Sequence, residues 1–377
     1  MRIGLDGKIL SLRVGGTGRY AINLTREILD EAAASRPDLE FVVFTGPRSD
    51  PDVVVELGRR CETHRLTAGS SVIRSLTQVP RAIRRLGIDV FHGMDHVGIP
   101  FTGRDARYVV TVHDVIPLIL PETFTPRHRL VVRAALARVR RRADRVLVPS
   151  EAVKRDLVER VSVNEGLVVV TPEACDRRFR PVDAAAVRAV AARHDLPERY
   201  VLAVGTLEPR KNLTRLLEAF SLLLGRRRIA PDYRLVLVGA RGWLEGPIFR
   251  AVKELELEGH VLFTGFVADE DLPAVYTGAS LFVFPSLHEG FGLPLLEAMA
   301  CGAPVVASNV SSLPEVAGSA AVLVDPHDVE ALAGAIAGVL EDDARRERLV
   351  AAGLARADEF SWRRTARQTL DVYSSLA

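Results

Sequence analysis

Two glutamates eight residues apart, Glu289 and Glu297, bracket the window with the most chemical promise in the chain, His288–Pro304 (HEGFGLPLLEAMACGAP). Between them, Gly290-Phe291-Gly292-Leu293 lets the backbone turn into a helix start. Pro294 suits the first helical turn, where its missing N–H costs little. Free amides and the helix dipole together make such a start a place for an anion, phosphate above all. Both glutamates are then expected beside one ligand. The competing reading is two solvated glutamates around a helix start. A second window, Gly205–Leu213 (GTLEPRKNL), directly follows the strand-like YVLAV. It puts Arg210 and Lys211 at the start of a predicted helix, with Asn212 as the expected N-cap. Positive charge is unfavourable there, a conflict that a bound anion would relieve. The alternative is a solvated basic turn.

Other candidates lie in the first half. His113 ends the strand-like YVVTVH, and a residue at the carboxyl end of a parallel strand lies on the ligand side of an α/β sheet. Asp114 follows it, as a ligand contact or as a cap of the turn. His92, Asp95 and His96, in FHGMDH, are read either as lining an acceptor or as an ordinary loop. Gly16-Thr17-Gly18-Arg19-Tyr20-Ala21 fits G-x-G-x-x-A, but that dinucleotide fingerprint needs a strand directly before it. The expected strand ends near Leu5, so a nicotinamide site is rejected. Two Asp-x-Asp strings, Asp50-Pro51-Asp52 and Asp269-Glu270-Asp271, sit in a charged turn and before a helix. Both are read as structural, so no metal is expected.

These residues need a scaffold. Short β-branched runs alternate with helical patterns along the whole chain, which predicts parallel sheets built from βαβ units. Twelve strands are expected, six in each half. The domain boundaries predicted are 1–171, a linker at 172–183 (rich in proline and charge, without a period), 184–357, and a C-terminal helix in 358–377. Ligands of open α/β sheets sit beyond the carboxyl ends of the strands and favour domain interfaces. A central cleft between two such sheets is therefore the expected site.

Composition excludes several classes. The 377 residues are 48% hydrophobic and 26% charged, which rules out a disordered chain, a collagen or a coiled coil. With 50 basic and 48 acidic residues the net charge is +2, too small an excess for a protein that lives on nucleic acid. Three scattered cysteines fit neither a disulfide framework nor a zinc site, and point to a reducing compartment. No signal peptide and no membrane-spanning run are visible, so a cytoplasmic protein is expected. Eight arginines lie between Arg127 and Arg145 on one predicted helix. They are either a solvated face or a contact with anionic lipid. Only four of the basic residues are lysines, so a lysine at a suspected site carries extra weight.

The two windows resemble the retaining glycosyltransferases of family 4. E-G-F-G-L-P-x-x-E-A at Glu289–Ala298, C-G-x-P-V-V-A-S at Cys301–Ser308, FTGFV at Phe263–Val267 and LPEV at Leu313–Val316 carry the likeness, together with GTLEPRKNL. The resemblance implies the GT-B architecture, an α/β fold of two Rossmann-like domains. It implies a nucleotide-diphospho-sugar donor and a glycan or lipid-linked acceptor, and it assigns roles. Arg210 and Lys211 go to the donor diphosphate and Glu297 to the ribose. Glu289 goes to the transferred sugar, beside the Gly290–Leu293 amides. Phe266 and Val267 meet the base through their backbone. Gly16 and Thr17 approach the donor, and His113 contacts the sugar near the reacting carbon. The stretch TVHDVIPLILPE and the GGTGRY loop look most like bacterial polysaccharide mannosyltransferases, which makes GDP-mannose the first choice of donor. Two other classes stay open on the residues alone. One is a glycoside hydrolase using Glu289 and Glu297. The other is a non-catalytic nucleotide-sugar binding protein.

Overall fold

The computed structural model describes residues 1–10 and 15–376. The chain forms two compact units: residues 1–173 with the segment from Ser361 onward, and residues 174–360. In the first, strands β1 (Arg2–Gly7), β2 (Glu40–Thr45), β3 (Glu62–Arg65), β4 (Val90–Gly93), β5 (Arg107–Thr111), β6 (Arg145–Val148) and β7 (Val168–Val170) make a parallel sheet in the order β3-β2-β1-β4-β5-β6-β7. In the second, β8 (Tyr200–Val204), β9 (Arg234–Val238), β10 (Val261–Gly265), β11 (Leu281–Phe284), β12 (Val305–Ser308) and β13 (Val322–Val324) follow the order β10-β9-β8-β11-β12-β13, again all parallel. Both are Rossmann-like, doubly wound sheets. Helices cover both faces, so the central strands are apolar throughout; Val201, Leu202, Phe282 and Val283 have no exposed surface.

All twelve expected strands are present. β3 was not anticipated: ETHR is a mostly exposed edge strand with no apolar period to read. The segment 172–183, expected as a linker, is packed. Phe179 is buried against Tyr276, ring centroids 6.1 Å apart. Asp183 caps the helix Ala184–Arg193 by accepting from the Ala186 N–H at 2.8 Å. The first crossing between units narrows to the Glu173–Ala174 bond.

The helix Trp362–Ser374 packs along Gly16–Ser35 in the first unit. Arg363 and Arg367 clamp the two oxygens of Glu31 at 2.8 and 2.7 Å. Beneath them runs a buried polar chain. Tyr373 Oη meets His92 Nδ1 at 2.6 Å, His92 Nε2 meets Thr111 Oγ1 at 2.9 Å, and Thr111 Oγ1 meets Tyr20 Oη at 2.8 Å. His92 is therefore not an acceptor-lining residue. It has no exposed surface and both ring nitrogens are taken. Burial, and secondarily the charge of His113, push it down to about 3.

This network has a pH signature. A histidine held neutral in the fold but titrating normally when unfolded stabilises the protein above its unfolded value of 6.5. That stability drains as pH falls from there toward about 3, by up to about 1.4 kcal/mol per pH unit. The gap in urea-unfolding free energy between wild type and His92→Asn should shrink across that window. A gap independent of pH would mean that His92 is not held neutral.

Candidate active site

In the second unit the winding direction reverses between β8 and β11, so the loops leaving these neighbouring strands diverge and leave a crevice at their carboxyl ends. The two sequence windows are those two loops. After β8 the chain makes one 3₁₀ turn, Pro209–Lys211, before the helix Leu213–Gly225. After β11 it runs through Pro285–Gly292 into the helix Leu293–Ala300.

The structure brings Arg210, Lys211 and Glu289 into one buried ion cluster. Lys211 Nζ is 2.6 Å from Glu289 Oε1 and Arg210 Nη1 is 2.6 Å from Oε2. Arg210 also pairs with Glu208 and donates to the His288 carbonyl oxygen at 3.0 Å. The Lys211 ammonium lies 4.8 Å from the centre of the Phe284 ring. Burial alone would raise the Glu289 carboxyl, but Arg210 and Lys211 overcome it and hold the group down at about 2. Lys211 is shifted downward, by burial first and by Arg210, with Glu289 opposing. The cluster thus holds a firmly ionised carboxylate between two cations.

Side chains from the loop after β12 shape the glycine turn. Glu289 N–H donates to Ser311 Oγ at 2.9 Å. Ser312 Oγ donates to the carbonyls of Glu289 and Phe291 at 3.0 and 2.8 Å. Gly292 has φ +108°, and a Cβ there would lie 2.8 Å from the Leu313 side chain, so only glycine fits this helix start. Glu297 is not part of the ion cluster. It is buried on the helix and accepts from Tyr276 Oη at 3.0 Å. Its charge, after burial, helps push the Cys175 thiol up to about 12. Phe266 is 71% exposed just past β10, with Val267 buried behind it.

Asn212 is not the side-chain cap expected. It adopts φ +56°, and its Nδ2 donates to the Pro285 and Pro326 carbonyls at 3.0 and 2.7 Å. It ties the loops after β8, β11 and β13 together under the cluster.

In the first unit the corresponding reversal lies between β1 and β4. Asp95 is there, 3.7 Å from Lys8 Nζ, and Lys8 pairs with the buried Asp6 at 2.8 Å. His96 is half-buried, and its burial shifts it downward. His113, two residues past β5, places Nδ1 2.9 Å from Glu173 Oε1 and Nε2 3.0 Å from the Met94 carbonyl oxygen. The Tyr20 ring meets it edge-on at 4.6 Å. Asp114 caps the next turn by accepting from the Ile116 N–H at 3.0 Å. The helix expected from Arg19 begins at Gly16, so Gly16 and Thr17 are its first residues. Of the Asp-x-Asp strings, Asp50 caps the helix Pro51–Gly58 and Asp271 holds Arg193 and His194.

Sequence reasoning missed Glu173, Asp6, Lys8, Tyr276, Ser311 and Ser312. A signal existed for Lys8 alone: two of the four lysines, Lys8 and Lys211, stand at the two reversal points.

Two doubly wound parallel domains, one with a basic pair and a glycine turn at its reversal point, define the GT-B architecture of sugar-transferring enzymes. Residues 14–179 match Glycosyltransferase Family 4, and residues 189–356 match Glycosyl transferases group 1. The O-antigen chain mannosyltransferase B of Escherichia coli is 35% identical over 376 residues, covering 96% of each chain. The sucrose-phosphate synthase of Thermosynechococcus elongatus superposes with a TM-score of 0.77 at 27% identity, over 100% of this chain and 99% of that one. Anabaena HepE, solved in complex with UDP and glucose, shares the fold with a TM-score of 0.75 at 20% identity, over 100% of both chains. The chain belongs to the family 4, group 1 glycosyltransferases. The hydrolase alternative falls with this assignment. Its geometry is also wrong, since Glu289 is bound by two cations and Glu297 by Tyr276.

Removing the tie beneath the cluster should be costly. Asn212→Ala leaves two carbonyls without their side-chain donor, at a combined cost of about 2–4 kcal/mol. Urea unfolding measures it; a loss under about 0.5 kcal/mol would show that the tie carries no weight.

Proposed function

We propose that this enzyme transfers mannose from GDP-mannose to a hydroxyl of a glycan or lipid-linked acceptor, with retention at the anomeric carbon. The observation that carries the reading is the end-to-end likeness to a bacterial O-antigen mannosyltransferase. The ion cluster supplies the chemistry. Arg210 and Lys211 stand where a departing diphosphate gains charge, which is where preorganised cations lower a barrier most. Glu289 holds both in place and lies beside the transferred sugar. Glu297 takes the ribose, and the backbone at Phe266–Val267 takes the base. Gly16 and Thr17, at their helix start, approach the donor.

The bond between the anomeric carbon and the diphosphate oxygen breaks while the acceptor oxygen bonds to that carbon on the same face. The acceptor proton passes to the departing oxygen, leaving a nucleoside diphosphate and the new glycoside. Glu289, with both oxygens on cations, is a poor nucleophile, which favours this course over a covalent intermediate. Diphosphate neutralisation by side chains removes the need for a divalent ion.

Transfer from labelled GDP-mannose to a lipid-linked glycan extract should survive EDTA. It should fall about 100-fold or more in Arg210→Ala and in Lys211→Ala, with the double variant less than additive. Abolition by EDTA with recovery on Mn²⁺ would overturn the metal-free site. Near-normal turnover in both single variants would remove them from it.

The acceptor side carries a second feature. No helix among the described residues is long and apolar enough to cross a membrane. The helix Pro126–Arg142 leaves Leu130 and Val131 69% and 51% exposed among its arginines, whereas Arg138 and Arg142 are used to hold the Ile99–Gly103 loop. An apolar pair ringed by free cations suits the surface of an anionic bilayer. Co-sedimentation with phosphatidylglycerol vesicles should fall in Leu130→Glu/Val131→Glu. Equal binding by this variant would exclude the helix.

A further inference from the structure

Both ring nitrogens of His113 face atoms that accept hydrogen bonds. Nε2 is 3.0 Å from the Met94 carbonyl oxygen, which has no proton to give. Nδ1 is 2.9 Å from a carboxylate oxygen of Glu173. A neutral imidazole carries one N–H and would leave one of these contacts as lone pair against lone pair. The only other way to satisfy both is a neutral histidine bonded to a protonated Glu173. That moves the proton from the more basic imidazole to the less basic carboxyl.

Glu173 is fixed for this contact. It is 5% exposed and ends the first of the two segments that make up the first unit. On its N-terminal side, the Thr171 N–H donates to the Val148 carbonyl at 2.8 Å and Thr365 Oγ1 donates to the Pro172 carbonyl at 2.5 Å. From the other side the Tyr20 ring presses edge-on against His113, with Trp362 behind it at 5.8 Å between ring centroids. The groups facing His113 agree with a positive charge. The adjacent Asp114 side chain favours it, and His92 is neutral. His96 is shifted downward and adds little repulsion. Burial opposes the charge, but Glu173, the Met94 carbonyl and Asp114 together raise His113 above its ordinary value.

We propose that Glu173, the last residue before the chain enters the second domain, is a positioning residue that keeps His113 a fixed imidazolium at the carboxyl end of β5. His113 is then a standing positive charge for an anionic donor. Lacking a lone pair, it is not the base that removes the acceptor proton. The catalytic consequence rests on the transferase reading above; the charge state does not.

The imidazole nitrogen resonances of the full-length protein test this by NMR, with His113→Gln to assign the signal. In wild type both His113 nitrogens should carry protons at neutral pH and titrate above the ordinary 6.5. In Glu173→Gln, which keeps an acceptor but removes the charge, the titration should fall by about one pH unit or more. Glu173→Asp should restore part of the shift. The alkaline limb of transfer from GDP-mannose should move down in parallel, in kcat more than in KM. A neutral His113 in wild type overturns the proposal, and this needs no variant to fold. An unmoved titration in a folded Glu173→Gln overturns it too. Protonated nitrogens with no transfer from any nucleotide-sugar would leave the charge state standing and sink the functional reading instead.

Discussion

Four charges packed together, Glu289 and Glu208 with Arg210 and Lys211, must compensate one another or unfold the crevice around them. Burying an ion costs several kcal/mol unless it is paired in good geometry. Here the pairing is two-sided: each oxygen of Glu289 has its own cation at 2.6 Å. Much of the local structure serves that arrangement. Asn212 pins three loops beneath it, Ser311 and Ser312 hold the main chain around Glu289, and Phe284 floors Lys211.

The first unit solves a related problem at its own reversal point. Asp6 and Asp95 share one cation, Lys8, at the ends of β1 and β4. Burial raises the Asp6 carboxyl despite Lys8; in Lys8 the two carboxylates overcome burial and shift the ammonium upward. A few residues away, His113 and Glu173 make a second buried pair. Charge is thus concentrated in each unit where strand order reverses and loops diverge, the one place in a doubly wound sheet that neighbouring helices do not cover.

The helix Trp362–Ser374 gives the first unit its rigidity near these groups. Tyr373, His92, Thr111 and Tyr20 form a satisfied polar chain through the interior. Such chains cost little when complete and much when broken. Tyr20 also touches His113, so packing of the C-terminal helix and orientation of the candidate sugar-contacting histidine share one aromatic side chain.

The sequence by itself determined every described strand but the exposed edge strand β3, the parallel class and the two loops that carry the cluster. β-branched runs such as LFVF and YVLAV have one comfortable conformation, and glycine, proline and paired charges just beyond them mark loops that a sheet must expose. Gly292 was legible because its turn admits no side chain. The tertiary structure alone decided how charges pair. Nothing local to Glu173, in a stretch without period, foretells a partner sixty residues away at His113. His92 and His113 share β-strand surroundings in sequence, yet one is walled in by Tyr373 and Thr111 and the other by Glu173 and Met94. One is therefore held neutral and the other raised. Burial and partner identity set those states, and both depend on contacts between distant segments that no window of sequence contains.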